Sequence, residues 1–222
     1  MRLIVLVLAN DNEVYNEMQN LWRIYMNKYA NITSFFVKYK EDLVEDIIVN
    51  DDVIFIKGKE SMVPGCLDKT IRSIEFLLKN MEFDFILRTN MSSVFDFKKV
   101  YGLLNENIEY SGVVNYYNNN QNKYVSGAGI LFNKKTCIEL IDTKMSLNYN
   151  IVDDVAIGEL LTKKESIIIT PLTRCDAFNY KDNLMVITQD TIKDFYHFRC
   201  KSDSKHNTTI EIMKRIIELI YN

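Results

Sequence analysis

The sequence predicts an α/β protein with a mixed sheet flanked by helices. Apolar runs of strand length alternate with amphipathic helical stretches along the chain. One of those runs, Phe83 to Arg88, breaks abruptly into the polar cluster Thr89-Asn90-Met91-Ser92-Ser93. That break marks the carboxyl end of a buried central strand, where open α/β sheets bind ligands. The 222 residues fit a single domain, 1–222, with a sizeable core. It divides into a first part, residues 1 to about 95, and a second, about 96 to 222.

The first strand is Leu3 to Leu8. Its apolar stretch is short for a signal sequence, and Asn10-Asp11-Asn12 follows without a cleavage pattern. A helix is expected over Glu13 to Tyr29, with Met18, Leu21, Trp22 and Tyr25 at helical spacing. Thr33–Tyr39 and Val53–Lys57 read as strands. Pro64-Gly65 then opens a helix from Cys66 to Lys79, with Leu67, Ile71, Ile74 and Leu78 on one face. After the Phe83–Arg88 strand comes a helix over Phe97–Asn105. Tyr110–Tyr116 and Gly127–Phe132 read as strands, joined by a polar loop around Tyr117–Asn122. Helices follow at Lys135–Lys144 and Asp153–Lys164, and a short strand at Ile167–Thr170. The last strands are expected at Leu184–Thr188 and Phe195–Arg199. A C-terminal helix, Thr208–Tyr221, carries Ile212, Ile216, Leu219 and Ile220 on its apolar face.

Composition narrows the function. A formal net charge of −3 gives no basic field, which disfavours binding to nucleic acid through its phosphates. Cys66, Cys137, Cys175 and Cys200 lie far apart with no C-x-x-C pair, and read as reduced, mostly buried thiols. No segment is long enough to span a bilayer. A cytoplasmic protein is expected, in the host cytoplasm if the source is a virus.

Three local patterns carry chemistry, in a fixed order: Arg88-Thr89-Asn90-Met91-Ser92-Ser93, then Tyr124-Val125-Ser126-Gly127-Ala128-Gly129-Ile130-Leu131-Phe132, a glycine-containing turn entering an apolar strand, then Asp153-Asp154-Val155-Ala156-Ile157-Gly158. Together they resemble the GT-A glycosyltransferases of the β-1,3-galactosyltransferase and Fringe type, over about Phe83 to Gly158. Those enzymes carry Lys/Arg-Thr-Asp-Asp-Asp, a Ser-Gly-Gly/Ala-Gly turn and Glu/Asp-Asp-Val-x-x-Gly. The Arg-Thr-Asn-x-Ser-Ser form is similar to that of a looser group of viral and microbial relatives. The resemblance implies a single-domain Rossmann-like GT-A sheet, a UDP-linked nucleotide-sugar donor bound by residues 1 to about 95, and a glycan acceptor bound by about 96 to 222. Residue by residue, it implies Asp154 as the base and Asp153 as its orienting partner or an acceptor contact. Ser126, Gly127, Ala128 and Gly129 would line the sugar sites. The chain departs from the family at its metal-binding aspartates, where Asn90 and Ser92 stand, and no N-terminal membrane anchor is evident.

For each residue a second reading stays open. Asp153 and Asp154 also suit a helix N-terminus, where free amides and the helix dipole favour carboxylates. Asn90 and Ser92 can hold Mn²⁺ or Mg²⁺ weakly through neutral oxygens, donate to the nucleotide directly beside Arg88 and Thr89, or simply cap the strand. Asn90-Met91-Ser92 also matches a glycosylation sequon, read as a chance match. Lys69 and Arg72 either approach phosphate or form a solvated helix face. Ala9 and Asn10 end the first strand, where such folds place base and ribose. In Tyr196-His197-Phe198-Arg199-Cys200-Lys201, His197, Arg199 and Lys201 share one side of a strand. The resemblance makes His197 a metal ligand or diphosphate contact, with Arg199 and Lys201 on phosphate; a structural histidine is the alternative. A catalytically silent sugar- or protein-binding module is the competing function. A nucleotidyltransferase would need a glycine-rich phosphate loop early in the chain, whose first glycine is Gly58.

Overall fold

The computed structural model describes residues 1–118, 122–164, 167–177, 186–201 and 206–222, with the backbone alone at 206–207. In chain order the elements are β1 (Leu3–Leu8), α1 (Glu13–Tyr25), β2 (Ile32–Lys40), β3 (Ile47–Asn50), β4 (Val53–Lys57), α2 (Gly65–Asn80), β5 (Phe85–Asn90), β6 (Ser93–Phe95) and α3 (Phe97–Leu103). Then come β7 (Tyr110–Tyr117), β8 (Asn122–Asn133), α4 (Lys134–Asp142), α5 (Asp153–Leu161), β9 (Ile169–Pro171), α6 (Gln189–Lys193), β10 (His197–Arg199) and α7 (His206–Tyr221). Among the described residues, one sheet has the order β3-β4-β2-β1-β5-β8-β7-β9 and a two-stranded ribbon pairs β6 with β10.

The sheet changes character at β5. Strands β4, β2, β1 and β5 run parallel, whereas β8 is antiparallel to both β5 and β7. Strand β1 is buried at every position because helices cover both faces. Leu3, Val5 and Val7 face α1, α7 and the β6–β10 ribbon. Ile4, Leu6 and Leu8 face α2, α4 and α5. The fold is thus an α/β mixed sheet flanked by helices, as the alternating pattern predicts.

Several boundaries moved. Helix α1 stops at Tyr25, four residues before the expected end, where Met26 caps it and Lys28 N–H turns back to the Tyr25 carbonyl. The buried stripe of α2 is Leu67, Ile71, Ile74 and Leu77, with Leu77 in place of Leu78. Strand β8 is longer than expected, because it pairs on both sides. The strand expected at Leu184–Thr188 is corrected in part. Positions 184 and 185 lie outside the described residues, while 186–188 are not strand. Thr188 instead caps α6 by a reciprocal bond with Thr191. All four cysteines are free thiols, three of them buried.

Candidate functional site

The crevice follows from chain direction. From β1 the chain crosses through α1 to β2 on one side, and from β4 it returns through α2 to β5 on the other. Leu8 at the end of β1 is the register partner of Asn90 at the end of β5. Such a reversal opens a gap at the carboxyl ends of the two strands. Ala9 and Asn10 lie just beyond β1. Ala9 is fixed by its N–H to the Val37 carbonyl, 2.9 Å, and by its carbonyl, which accepts from Lys69 Nζ at 2.9 Å. Lys69 is therefore no solvated face: its side chain is 4% exposed, paired with Glu60 at 2.8 Å. Arg72 is half-buried and braces Asp68 and the Lys57 and Asp46 carbonyls. Asn10 Oδ1 accepts from Asn12 N–H at 2.9 Å, turning the chain into α1.

Opposite lies Arg88, buried on β5. Each of its guanidinium nitrogens has a partner: Nε donates to Thr70 Oγ1, Nη1 to the Gly127 carbonyl and Nη2 to Asp153. Arg88 therefore acts inside the protein, as the counterion of Asp153. Asp154, the next residue, accepts instead from Gly127 N–H and Val155 N–H, each at 2.9 Å. Burial pushes its carboxyl above the usual range, and the Asp153 charge adds to this, while the two amides and Arg88 pull the other way.

The strand β8 brings these groups together through a bulge. Its register against β7 jumps from Gly112–Ile130 to Val114–Val125. As a result Val125 and Ile130 face the same core although an odd offset in a regular strand would put them on opposite faces. The intervening Ser126–Gly129 segment turns its polar backbone to the crevice walls. Gly127 sits where a Cβ would come 2.8 Å from Arg88 and 3.3 Å from Asp154. Thr89 and Ser93 hydroxyls donate to the Ala128 carbonyl at 2.6 and 3.1 Å. A Cβ on Gly129 would strike the His197 ring at 2.8 Å.

The turn after β5 holds Asn90, Ser92 and Ser93. Ser92 Oγ donates to Asn90 Oδ1 at 3.3 Å; Ser93 Oγ stands at the same distance, with its one proton directed to the nearer Ala128 carbonyl. His197 is 1% exposed, stacked on Phe95 at 4.3 Å, with Nε2 3.2 Å from Ser93 Oγ. Its Nδ1 has no partner among the described residues. The tautomer that avoids a buried orphan N–H carries its proton on Nε2, toward Ser93. Burial, then Arg174 and Arg199, holds the ring below the usual histidine range, so it stays neutral. Ribbon pairing sets Arg199 opposite Ser93, and Cys200 N–H donates to the Ser92 carbonyl at 2.8 Å. Lys201, just past β10, is exposed.

These residues do not form a cation cage. Asn90 Oδ1 accepts from Ser92 with Ser93 Oγ beside it, and Ser93 stands between His197 and Asn90. Among the described residues no three His, Cys, Asp or Glu side chains gather where a metal ion could be held. Two further side chains stand at this wall, Arg174, which no motif marks, and Tyr124, which opens the second motif without a role of its own. Arg174 donates to Ser126 Oγ at 2.9 Å and pairs with Asp176 at 2.7 Å. Tyr124 lies close enough to Asp154 that the carboxylate adds to the upward shift that burial gives its phenol. A signal for Arg174 existed only in its alternation with Cys175, which pairs with Phe198 beside β10.

No protein-family model matches the chain, and no curated protein matches it. Solved structures do. A glycosyltransferase involved in glycosylation of the major capsid of the virus PBCV-1 aligns with a TM-score of 0.58 at 11% identity, over 96% of this chain and 99% of that one. The glycosyltransferase GlyE of Streptococcus pneumoniae TIGR4 aligns at 0.55 and 10%, over 98% of this chain and 63% of that one. The galactosyltransferase LgtC, solved with donor and acceptor sugar analogues, aligns at 0.53 and 11%, over 98% and 95%. The chain has the GT-A glycosyltransferase fold. Among the described residues no helix is long and apolar enough to cross a membrane.

Proposed function

We propose that the chain transfers a sugar from a nucleotide-sugar donor, with UDP as its carrier, to a hydroxyl of a glycan or glycoconjugate. The observation that carries this reading is the contrast at Asp153–Asp154. One carboxylate is paired with a buried arginine. The other is desolvated and held by two amides beside the crevice. A carboxylate with raised proton affinity is suited to take a proton at neutral pH.

In the proposed step the acceptor hydroxyl attacks the anomeric carbon. The new carbon–oxygen bond forms as the bond from that carbon to the diphosphate oxygen breaks. The electron pair leaves with the diphosphate and the hydroxyl proton passes to Asp154. Configuration inverts in this single displacement. Asp153, fixed by Arg88, orients Asp154. Ala9 and Asn10 line the nucleoside end, Lys69 fixing the Ala9 carbonyl from below. Asn90 and Ser92 meet the diphosphate, and Ser126–Gly129 the sugars. Arg88 and Thr89 act from behind by holding Gly127, Ala128 and Asp153.

Asp154→Asn is expected to lower turnover by about 10²–10⁴-fold while nucleotide affinity and the circular dichroism spectrum persist. Wild-type turnover in that variant removes Asp154 as the base. Asn90 and Ser92, which replace an acidic pair, favour one second reading: a silent module that binds sugar nucleotide or glycan. Tight binding without transfer or hydrolysis by the wild-type chain selects that reading.

A further inference from the structure

The turn after β5 has the wrong atoms for a divalent ion and the right ones for an anion. An asparagine ligates a cation through Oδ1, but Asn90 Oδ1 already accepts from Ser92 and is crowded by Ser93 Oγ, each at 3.3 Å. What its side chain still offers is its N–H donors. His197 is neutral, buried and turned to Ser93. The two carboxylates at the crevice are bound elsewhere, Asp153 to Arg88 and Asp154 to backbone amides. Meanwhile the β6–β10 ribbon brings two cations to this same turn. Arg199 is the register partner of Ser93, and its side chain points away from the core that holds Phe198. Lys201 follows the Cys200 N–H bond to the Ser92 carbonyl.

Charge makes the same case. An acidic pair with a divalent ion presents about zero net charge to a diphosphate. With Asn90 and Ser92 neutral, the countercharge to a diphosphate falls to cationic side chains at this turn, Arg199 and Lys201. We propose that this chain holds the diphosphate of a nucleotide without a divalent ion, using Asn90 and Ser92 as neutral donors and Arg199 and Lys201 as the countercharge. This rests on the reading of the crevice as a nucleotide-sugar site.

The test is calorimetric titration of the full chain with UDP and with GDP, in excess chelator and in Mn²⁺. The expected result is binding in chelator with a Kd within about twofold of the Mn²⁺ value. Lys201→Gln, an exposed change that leaves the fold intact, and Arg199→Gln each weaken it about tenfold. Asn90→Asp weakens binding in chelator and creates a response to Mn²⁺ that the wild type lacks. Binding that requires Mn²⁺ overturns the inference and leaves the transferase reading standing. Metal-free binding indifferent to both cation variants also overturns it. Failure of both nucleotides to bind in either buffer overturns the nucleotide-sugar reading itself, and this inference with it.

Discussion

Asp153 and Asp154 are adjacent in sequence and differ in what neutralises them. Asp153 has a buried guanidinium; Asp154 has amides and low-dielectric surroundings. The consequence for stability has a sign. Burial raises the folded-state pKa of Asp154 above its unfolded value of about 3.9. Between those two values the folded chain binds more protons than the unfolded one. Its contribution to stability is therefore full below the unfolded value and is lost as pH rises through the folded value. The wild type is expected to lose stability relative to Asp154→Asn across that window. Urea midpoints of the two proteins, followed as pH rises from about 3.9, check it. A constant difference across the series would mean that Asp154 carries no raised pKa. At this scale the acidic pair was legible in the sequence, because its motif is contiguous. The role of Arg88 was not. Its partners Thr70, Gly127 and Asp153 come from three other elements, so nothing local shows that the guanidinium faces inward. Lys69 misled for the same reason: its burial follows from Glu60 and the Ala9 carbonyl, not from the pattern of its own helix.

Helix α5 must lie close to β8 for Asp154 to reach the Gly127 amide. Gly158 permits this, since a Cβ there would meet Tyr124 Cβ at 2.3 Å and Tyr124 Cα at 2.8 Å. The glycine of the Asp-Asp-Val-Ala-Ile-Gly pattern is thus a packing residue in the second turn behind the acids. Gly158→Ala is expected to cost about 1–3 kcal/mol through overpacking, outweighing the helix propensity gain of about 1 kcal/mol. Thermal unfolding gives the stability term. A turnover loss greater than that of an equally destabilised core variant would show the displaced acid. Elements with strong periodicity were legible: β1 and β4 match their expected bounds. Short ones were not. Strand β3 has four residues and β6 three, and each exists through its partner, β4 or β10. No run of three residues carries a period of its own. The β8 bulge was invisible because its register is set by β7, with Gly112 at φ 146° admitting the Gly129 carbonyl.

At the scale of the molecule, two cores lie back to back across the sheet, and the last helix closes one of them. Tyr221 near the end of α7 stacks on Tyr25 of α1 at 4.8 Å. Its hydroxyl donates to the Phe95 carbonyl at 2.5 Å and accepts from Phe97 N–H at 3.1 Å. Trp22 adds a bond from Nε1 to the Met91 carbonyl at 3.0 Å. The turn carrying Asn90 and Ser92 is thereby pinned from the opposite side of the sheet to Asp154. Tyr221→Phe strands two backbone groups and is expected to cost about 1–3 kcal/mol. Denaturant melts followed by tryptophan fluorescence and by circular dichroism check it, and should shift together. A fluorescence change without a shift in midpoint would confine Tyr221 to a local role.

The pairing of Arg88 with Asp153 also has a meaning in time. The parallel strands β1, β2, β4 and β5 all precede residue 91, so a growing chain can lay them down early. Arg88 then emerges 65 residues before its counterion. Until α5 arrives, that guanidinium has to remain hydrated, which keeps one flank of the nascent sheet wet. The crevice is finished by the later half of the chain, and its electrostatic lock waits on α5.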